Sequence, residues 1–152
     1  LEGITALLDR IDVPIHVQAD EAEYVRKVTG VTDESLVQHQ SGDIVRVGDV
    51  EIELIHTPGH TPGSQCFLVD GRLVAGDTWF LDGCGRTDLP GSDPEQMYES
   101  LTTRLGRVDD DVILCPGHAY SPEPTATMGA TRERNIVFRP DTKEQWMMLF
   151  GR

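Results

Sequence analysis

Three apolar, strand-like runs in this chain end in the same way, with glycine immediately before a side chain that can bind a metal. VEIELIHTPG leads to His60, RLVAG leads to Asp77, and VILCPG leads to His118. Glycine lets the backbone turn sharply at a strand end, and proline stiffens the approach to the turn. Because α/β proteins build their sites at strand ends, we expect these three side chains to lie together at one edge of a sheet.

The side chains in these three positions have the chemistry of a metal site. Imidazole and carboxylate are ligands for zinc, manganese or iron(II). Two histidines and one aspartate can hold one metal with positions left open for water, or Asp77 can bridge two metals with its two oxygens. A divalent metal lowers the pKa of its water to about 7 and polarises a carbonyl, which suits hydrolysis. The alternative is that His60 and His118 are ordinary loop histidines and that Asp77 caps a turn, but the shared context favours a site.

The spacing of apolar residues predicts alternating strands and helices, and hence an α/β fold. Strands are predicted over residues 13–17, 44–47, 50–55, 65–69, 72–76 and 112–115, and helices over 2–11, 19–30, 92–106, 125–135 and 142–150. Gly48-Asp49 and Asp70-Gly71 mark two tight hairpins. We expect Asp20 to cap the second helix, and Asp93 or Ser92 to cap the third. Three further histidines are interpreted as structural or solvent-facing: His16 in a strand, His39 in a polar loop and His56 at a strand end.

Charge and cysteine content limit the partners of the chain. Lys and Arg total 13 against 26 Asp and Glu in 152 residues, and the resulting net charge of −13 argues against nucleic acid or an anionic membrane as partner. No apolar run approaches the roughly 20 residues that a membrane span needs. The three cysteines have no CxxC spacing, so we expect a reducing, cytoplasmic location. Cys66 and Cys115 lie in apolar strands and are expected to be buried.

TPGHTPGS, AGDT and PGH together resemble the later motifs of the metallo-β-lactamase superfamily. The resemblance implies an αβ/βα sandwich with a metal site at one edge. Carried over to this sequence, it implies that His60 and His118 are histidine ligands and that Asp77 is the bridging, catalytically essential carboxylate. It also implies one or two zinc ions as cofactor, with Fe(II) or manganese as alternatives.

The HxHxDH motif of that family, which supplies four further ligands, is absent from this sequence. The resemblance therefore implies that residues 1–152 form a single domain that is only the C-terminal part of the fold. We expect one sheet face to be left open, and to be covered by the missing N-terminal half or by another chain.

Asp77 and the loop GCGRTD, residues 83–88, narrow the choice of branch within the family, although GRTDLPG followed by an acidic-capped helix also resembles other hydrolases of the superfamily. The aspartate is typical of the glyoxalase II-like, lactonase-like and persulfide dioxygenase-like proteins, and the loop is similar to that of the persulfide dioxygenases. The 34 residues that follow His118 are too few for the long helical extension of glyoxalase II.

The resemblance implies a function for the intact protein: a hydrolase in which a metal-bound hydroxide attacks a thioester, ester or lactone of a small-molecule substrate. One alternative is an iron(II) glutathione-persulfide dioxygenase. Another, which the missing motif supports, is a catalytically inactive fragment or interaction scaffold, and we expect the chain alone to be inactive.

Three further side chains are candidates for substrate binding. Arg86 could hold a substrate carboxylate in a bidentate fork, and Tyr120 could reach the same pocket from two residues beyond His118. Cys84 could face the pocket from its glycine-rich loop. The alternatives are a structural ion pair for Arg86, a packed ring for Tyr120 and simple loop packing for Cys84.

Overall fold

The computed structural model describes Leu1 and residues 3–151, and the chain falls into two compact units, Leu1–Gln40 and Ser41–Arg152. The α/β class predicted from the sequence is confirmed. The expectation that residues 1–152 form a single domain stays a prediction. Glu2, where the first predicted helix begins, lies outside the described residues. Within the described part of the chain, no helix has the length and apolar character needed to cross a bilayer.

The first unit is a small two-stranded parallel sheet with two helices. Its elements are α1 (Gly3–Leu8), β1 (Ile15–Gln18), a 3₁₀ turn (Ala19–Glu21), α2 (Ala22–Thr29) and β2 (Leu36–His39). Ile15 lies opposite Leu36 in the parallel pairing of β1 with β2. Its small core consists of Val17, Ala22 and Val25, while Val28, which we expected on the same apolar face of the second helix, is 52% exposed.

Two predictions for the first unit are wrong. His39 is not in a loop but ends strand β2, which sequence reasoning missed because LVQH is too short and polar to form a clear alternating pattern. Its ring stacks on that of His16, with His16 Nδ1 2.8 Å from His39 Nε2. Asp20 does not cap the helix; instead its backbone N–H donates to the side chain of Gln18 at 2.5 Å.

The second unit is a six-stranded sheet in the order β3-β4-β5-β6-β7-β8 with helices packed on it. The strands are β3 (Ile44–Val47), β4 (Val50–His56), β5 (Gln65–Val69), β6 (Arg72–Gly76), β7 (Ile113–Pro116) and β8 (Ala126–Thr127). The helices are α3 (Pro94–Glu99), α4 (Met128–Arg134) and α5 (Lys143–Phe150). α3 continues as a π-helical segment, Ser100–Arg104, and a 3₁₀ turn, Leu105–Arg107.

Both predicted hairpins are confirmed. Val47 pairs with Val50 around Gly48, and Val69 pairs with Arg72 around Asp70 and Gly71, whose φ angles are 50° and 70°. Positive φ at both central residues belongs to the type I′ turn, whose twist matches that of the flanking strands. The short strand β8 was not expected from the sequence.

The cap of the third helix is as predicted. The carboxylate of Asp93 accepts hydrogen bonds from the backbone N–H groups of Glu95 and Gln96, and Pro94 begins the helix. The side-chain amide of Gln96 also donates to this carboxylate, at 3.0 Å. This bond is the main reason, together with the backbone hydrogen bonds, that the pKa of Asp93 lies below its usual value.

The core of the second unit lies between one face of the sheet and the helices. Among its largest fully buried side chains, the strands contribute Ile55, Leu73 and Leu114. The third helix and the turns that continue it contribute Met97, Leu101 and Leu105. The two tryptophans, Trp79 after β6 and Trp146 in α5, are buried in the same core. Helices thus cover this face, as an αβ layer requires.

The opposite face of the same sheet is apolar and only partly covered. By the strand register, Val47, Val50 and Val74 point away from the core cluster that contains Ile55 and Leu73, and they are 63%, 46% and 42% exposed, whereas Leu54 on the same face is buried. Cys115 pairs with Val74 on this face, which explains why it is only partly buried, contrary to expectation, while Cys66 is fully buried.

Candidate metal centre

The strand directions explain why three distant side chains meet. β4 and β5 are antiparallel, β5 and β6 are antiparallel, and β6 and β7 are parallel, so β4, β6 and β7 all run the same way. Their carboxyl ends therefore lie at one edge of the sheet. His60, Asp77 and His118 follow these three ends, and all three side chains line one cavity of about 210 Å³.

Asp77 lies between the two histidines. Its Oδ2 is 3.6 Å from Nε2 of His60, and its Oδ1 is 3.2 Å from Nε2 of His118. The structure thus brings together the three residues that the sequence singled out. Their role as metal ligands stays a prediction.

Glycines at the predicted turns leave room for these ligands. A Cβ at Gly117 would lie 2.9 Å from Oδ1 of Asp77, and one at Gly85 would lie 1.9 Å from the Asp77 carbonyl oxygen. Neither position can carry a side chain without moving the backbone that presents the carboxylate. Gly76, immediately before Asp77, has φ 51°, a conformation that other residues rarely adopt.

The hydrogen bond made by His60 assigns its tautomer. Nδ1 of His60 is 3.0 Å from the carbonyl oxygen of Arg86. Since a carbonyl only accepts, Nδ1 carries the hydrogen in the neutral ring, and Nε2 presents its lone pair to Asp77. A lone pair and a carboxylate that face each other call for a cation between them, and histidine ligands of metals are typically held by such a second contact. The donor set therefore fits one side of a metal centre.

The set is nevertheless incomplete. Within Leu1 and residues 3–151, no group of three or more histidine, cysteine, aspartate or glutamate side chains is arranged to hold a metal ion. The distances above give the reason: His60 and His118 approach different oxygens of Asp77, so the two imidazoles flank the carboxylate and the three side chains do not converge on one point. Each side of Asp77 needs further ligands.

Two aromatic side chains form one wall of the cavity. Tyr120 stacks on His118, with ring centroids 5.2 Å apart, and Phe80 meets Tyr120 edge-on at 5.0 Å. The Tyr120 ring is 71% exposed, so it borders the cavity from the solvent side. Tyr120 is among the residues that line the cavity, and its contact with substrate stays a prediction.

The guanidinium of Arg86 is held by Asp88. Its Nε and Nη2 donate to the two carboxylate oxygens at 2.7 and 2.8 Å, the bidentate geometry that was expected for a substrate carboxylate. This contact raises the pKa of Arg86 and lowers the pKa of Asp88. Substrate binding by Arg86 stays a prediction; with Nε and Nη2 bound to Asp88, the donors left for a substrate are those of Nη1 and the second N–H of Nη2.

Cys84 lines the same cavity, as the sequence suggested. Burial raises the pKa of its thiol to about 12, so the group is a neutral thiol at physiological pH. A second cavity of about 270 Å³, lined by the same loop together with Ile136, Val137 and Phe150, adjoins it through Cys84, Gly85 and Arg86.

Asn135 is a buried residue of this region that sequence reasoning missed. Its side-chain amide donates to the carbonyls of Phe80 and Gly83 at 2.8 and 3.0 Å, and its oxygen accepts from the N–H of Val137. It therefore fixes the tight loop that leads from Asp77 to Cys84, which lines the cavity. A lone asparagine between two short helices carries no signal of this contact in the sequence.

Comparison with known proteins places these observations in one family. The profile described as "Metallo-beta-lactamase superfamily" matches residues 3–118. The protein named "Probable polyketide biosynthesis zinc-dependent hydrolase PksB", from Bacillus subtilis, is 33% identical over 113 residues, which cover 74% of this chain and 49% of that protein. "Hydroxyacylglutathione hydrolase GloC" from Haemophilus influenzae is 40% identical over 82 residues, 53% of this chain and 39% of that protein.

A solved structure agrees with the fold over almost the whole chain. The crystal structure of ETHE1 from Myxococcus xanthus superposes with a TM-score of 0.74 at 27% identity and covers 99% of this chain and 76% of that one. The chain spans about half the length of the first curated relatives it matches, 49% and 52%.

Proposed function

We propose that this chain, which belongs to the metallo-beta-lactamase superfamily, is part of a metal-dependent hydrolase that cleaves a thioester, ester or lactone bond in a small molecule. The observation that carries the proposal is the Asp77 carboxylate, flanked at 3.6 and 3.2 Å by the Nε2 atoms of His60 and His118. A divalent metal bound there would lower the pKa of a water to about 7 and polarise the carbonyl of the substrate.

The residues of this chain would have distinct tasks in such a site. Asp77 offers one oxygen to each side, which suits a carboxylate shared between two metal positions. The Arg86 carbonyl keeps the lone pair of His60 directed at the site through the Nδ1 hydrogen bond. Phe80 and Tyr120 form an aromatic wall against which a substrate could pack.

The names of two relatives support the choice of metal and bond. PksB is described as zinc-dependent, which favours zinc here, in one or two ions per chain. GloC is described as a hydroxyacylglutathione hydrolase, and its similarity favours a thioester among the possible substrates. The three free cysteines are in keeping with a reducing, cytoplasmic location.

The test compares the intact protein that contains this chain with two ligand variants and a control. We expect one or two zinc ions per chain by elemental analysis and turnover of acyl-glutathione thioesters. Asp77→Asn and His60→Gln should lower kcat/KM at least about 100-fold, since even the partners of metal ligands contribute 10–100-fold. His16→Gln, in the first unit, should leave the rate unchanged. Wild-type turnover by Asp77→Asn would rule out the proposal.

The chain of 152 residues by itself should behave differently. With only His60, Asp77 and His118 available, we expect weak metal binding and no turnover. Tight stoichiometric zinc and full activity in this chain would show that the family's missing motif is dispensable. A metal-loaded intact protein without turnover would instead favour the inactive interaction scaffold.

The loop GCGRTD supports a second candidate, an iron(II) glutathione-persulfide dioxygenase. Cys84, Gly85 and Arg86 of this loop line the cavity beside the candidate ligands. Iron in the purified intact protein, with oxygen uptake on addition of glutathione persulfide, would favour this candidate. Zinc with thioesterase activity would exclude it.

We also propose that the open sheet face is covered in the intact protein by its N-terminal half. Apolar faces of sheets are normally buried against a second layer. Val47, Val50 and Val74 are exposed on this face, so it is only partly covered within the second unit. The 152-residue chain should therefore bind the dye ANS strongly, whereas the intact protein should not. Equal dye binding by the two proteins would contradict the proposal.

A further inference from the structure

We infer that the segment Ser92–Arg104 is the element that positions His60, and that Ser100 and Ser92 are positioning residues for its imidazole. The inference rests on the proposed function in so far as His60 is to hold a metal. The geometry by which the segment holds the His60 turn does not depend on any metal.

The segment binds four of the five carbonyl groups of the turn between His56 and His60. The donors are Arg104 Nη1 to His56 at 3.3 Å, Ser100 Oγ to Pro58 at 2.7 Å, Asp93 N to Gly59 at 2.8 Å, and Ser92 Oγ to His60 at 2.8 Å. Backbone carbonyl groups that are not paired with a neighbouring strand need other hydrogen-bond donors. The segment Ser92–Arg104 supplies a donor for four of the five.

A close backbone approach makes these contacts possible. Gly59 has φ 143°, and a Cβ built on it would lie 2.5 Å from Cα of Met97. Because the turn lies directly against the helix, short side chains such as serine are long enough to reach its carbonyls. The helix also changes to a π-helical turn at Ser100, a feature that is frequent at functional sites.

Ser100 is the central donor of the set. It is completely buried, so its loss would leave the Pro58 carbonyl without a partner in the core. Ser92 and the backbone N–H of Asp93 hold the carbonyls of His60 and of the residue before it. The backbone of His60 is thus fixed on both sides.

The imidazole ring of His60 is held by a hydrogen bond of its own. Nδ1 donates to the Arg86 carbonyl at 3.0 Å, which directs Nε2 to Asp77. That hydrogen bond can form only if the backbone of residue 60 is at the correct distance from the loop of Arg86. Ser100 and Ser92 therefore act on the candidate ligand atom through the backbone, without touching it.

Matched hydroxyl deletions test the inference. Ser100→Ala and Ser92→Ala remove the donors to the turn. Thr131→Val removes an equally buried hydroxyl, in α4, that donates to the carbonyl of Thr127 just before that helix. Thr102→Ala removes a hydroxyl of the segment Ser92–Arg104 that bonds within the segment, to the Tyr98 carbonyl. Any general effect of lost hydroxyls should appear in the two controls.

The first measurement needs no metal. In ¹H–¹⁵N spectra of the full chain, the Nδ1–H proton of His60 should be observed, because its hydrogen bond slows exchange with water. It should broaden or disappear in Ser100→Ala and Ser92→Ala and persist in both controls. Ser100→Cys, which keeps the shape with a weaker donor, should give an intermediate result and serves if Ser100→Ala does not fold. An unchanged His60 signal in the serine variants, or an equal change in Thr131→Val, would overturn the inference.

The second measurement is zinc affinity of the intact protein by calorimetry. The serine variants should bind zinc about 10–100-fold more weakly than wild type, as for other residues that orient metal ligands. If wild type binds no zinc while the His60 signal responds as expected, the positioning role stands and the proposed function is wrong. If wild type binds zinc and the serine variants bind it equally well, the positioning role is overturned.

Discussion

Replacement of Gly59 by alanine tests whether the turn before His60 depends on backbone contact with α3. The new Cβ would lie 2.5, 2.6 and 2.6 Å from Cα, Cβ and N of Met97, and φ at this position is 143°. Backbone strain of this kind costs about 1–3 kcal/mol, and forcing extra volume into a packed site costs about 1–3 kcal/mol more. We expect Gly59→Ala to lower the free energy of unfolding by roughly 4 kcal/mol in total.

Alanine substitutions at two other glycines separate the cost of backbone strain from the cost of atomic overlap. Gly48 has φ 61° but no atom within 4 Å of a built Cβ, so Gly48→Ala should cost only the strain, about 1–2 kcal/mol. Gly83 has neither a positive φ nor a close neighbour, and Gly83→Ala should change stability by less than about 1 kcal/mol.

Urea unfolding followed by circular dichroism gives the three values under identical conditions. A large loss in Gly59→Ala with an unchanged urea dependence would place the cost in the folded state. If Gly59→Ala loses no more stability than Gly48→Ala, the turn is free to move away from Met97, and the reasoning that it is held against α3 is wrong.

Two further predictions follow from ionisable groups. The pKa of Asp93 is lowered in the folded state, so its stabilisation is present above the unfolded value of about 3.9 and is lost as pH falls through the folded value. Urea unfolding should therefore show Asp93→Ala less stable by about 1 kcal/mol at pH 7, with the gap closing below about pH 4, and a gap that stays constant would contradict this. With a pKa raised to about 12 by burial, Cys84 should react with iodoacetamide at pH 8 roughly a thousandfold more slowly in the folded chain than in urea, as followed by mass spectrometry. Equal rates would show that the loop opens.

Local patterns account for the parts of the structure that were predicted well. Each hairpin is fixed by two turn residues and the alternation of the strands beside them, and the cap of α3 is fixed by Asp93 and Pro94. The three ligand candidates were found because glycine and proline mark the ends of strands β4, β6 and β7 within a few residues of each ligand.

Contacts across the fold were beyond reach from such patterns. Arg86 was a candidate for binding a substrate carboxylate, yet its guanidinium donates two hydrogen bonds to Asp88, only two residues away. β8 is only two residues long, and it is a strand because it pairs with Ile113 and Leu114 of β7. Neither outcome is encoded in the periodicity that identifies helices and strands.

The sequence by itself determined the residue types of the candidate site and the sharp turns that present them, because both depend on neighbours along the chain. The strand ends suggested that the three ligand candidates share one edge of a sheet, but only the tertiary structure decided the pairing by which β4, β6 and β7 run in one direction and bring them there. It alone decided which groups hold the ligands: Ser100 binds the Pro58 carbonyl across 42 residues, and Asn135 binds the Phe80 carbonyl across 55. A single hydroxyl or amide gains such a partner only when packing brings the two segments together, so the chain on either side carries no trace of the contact.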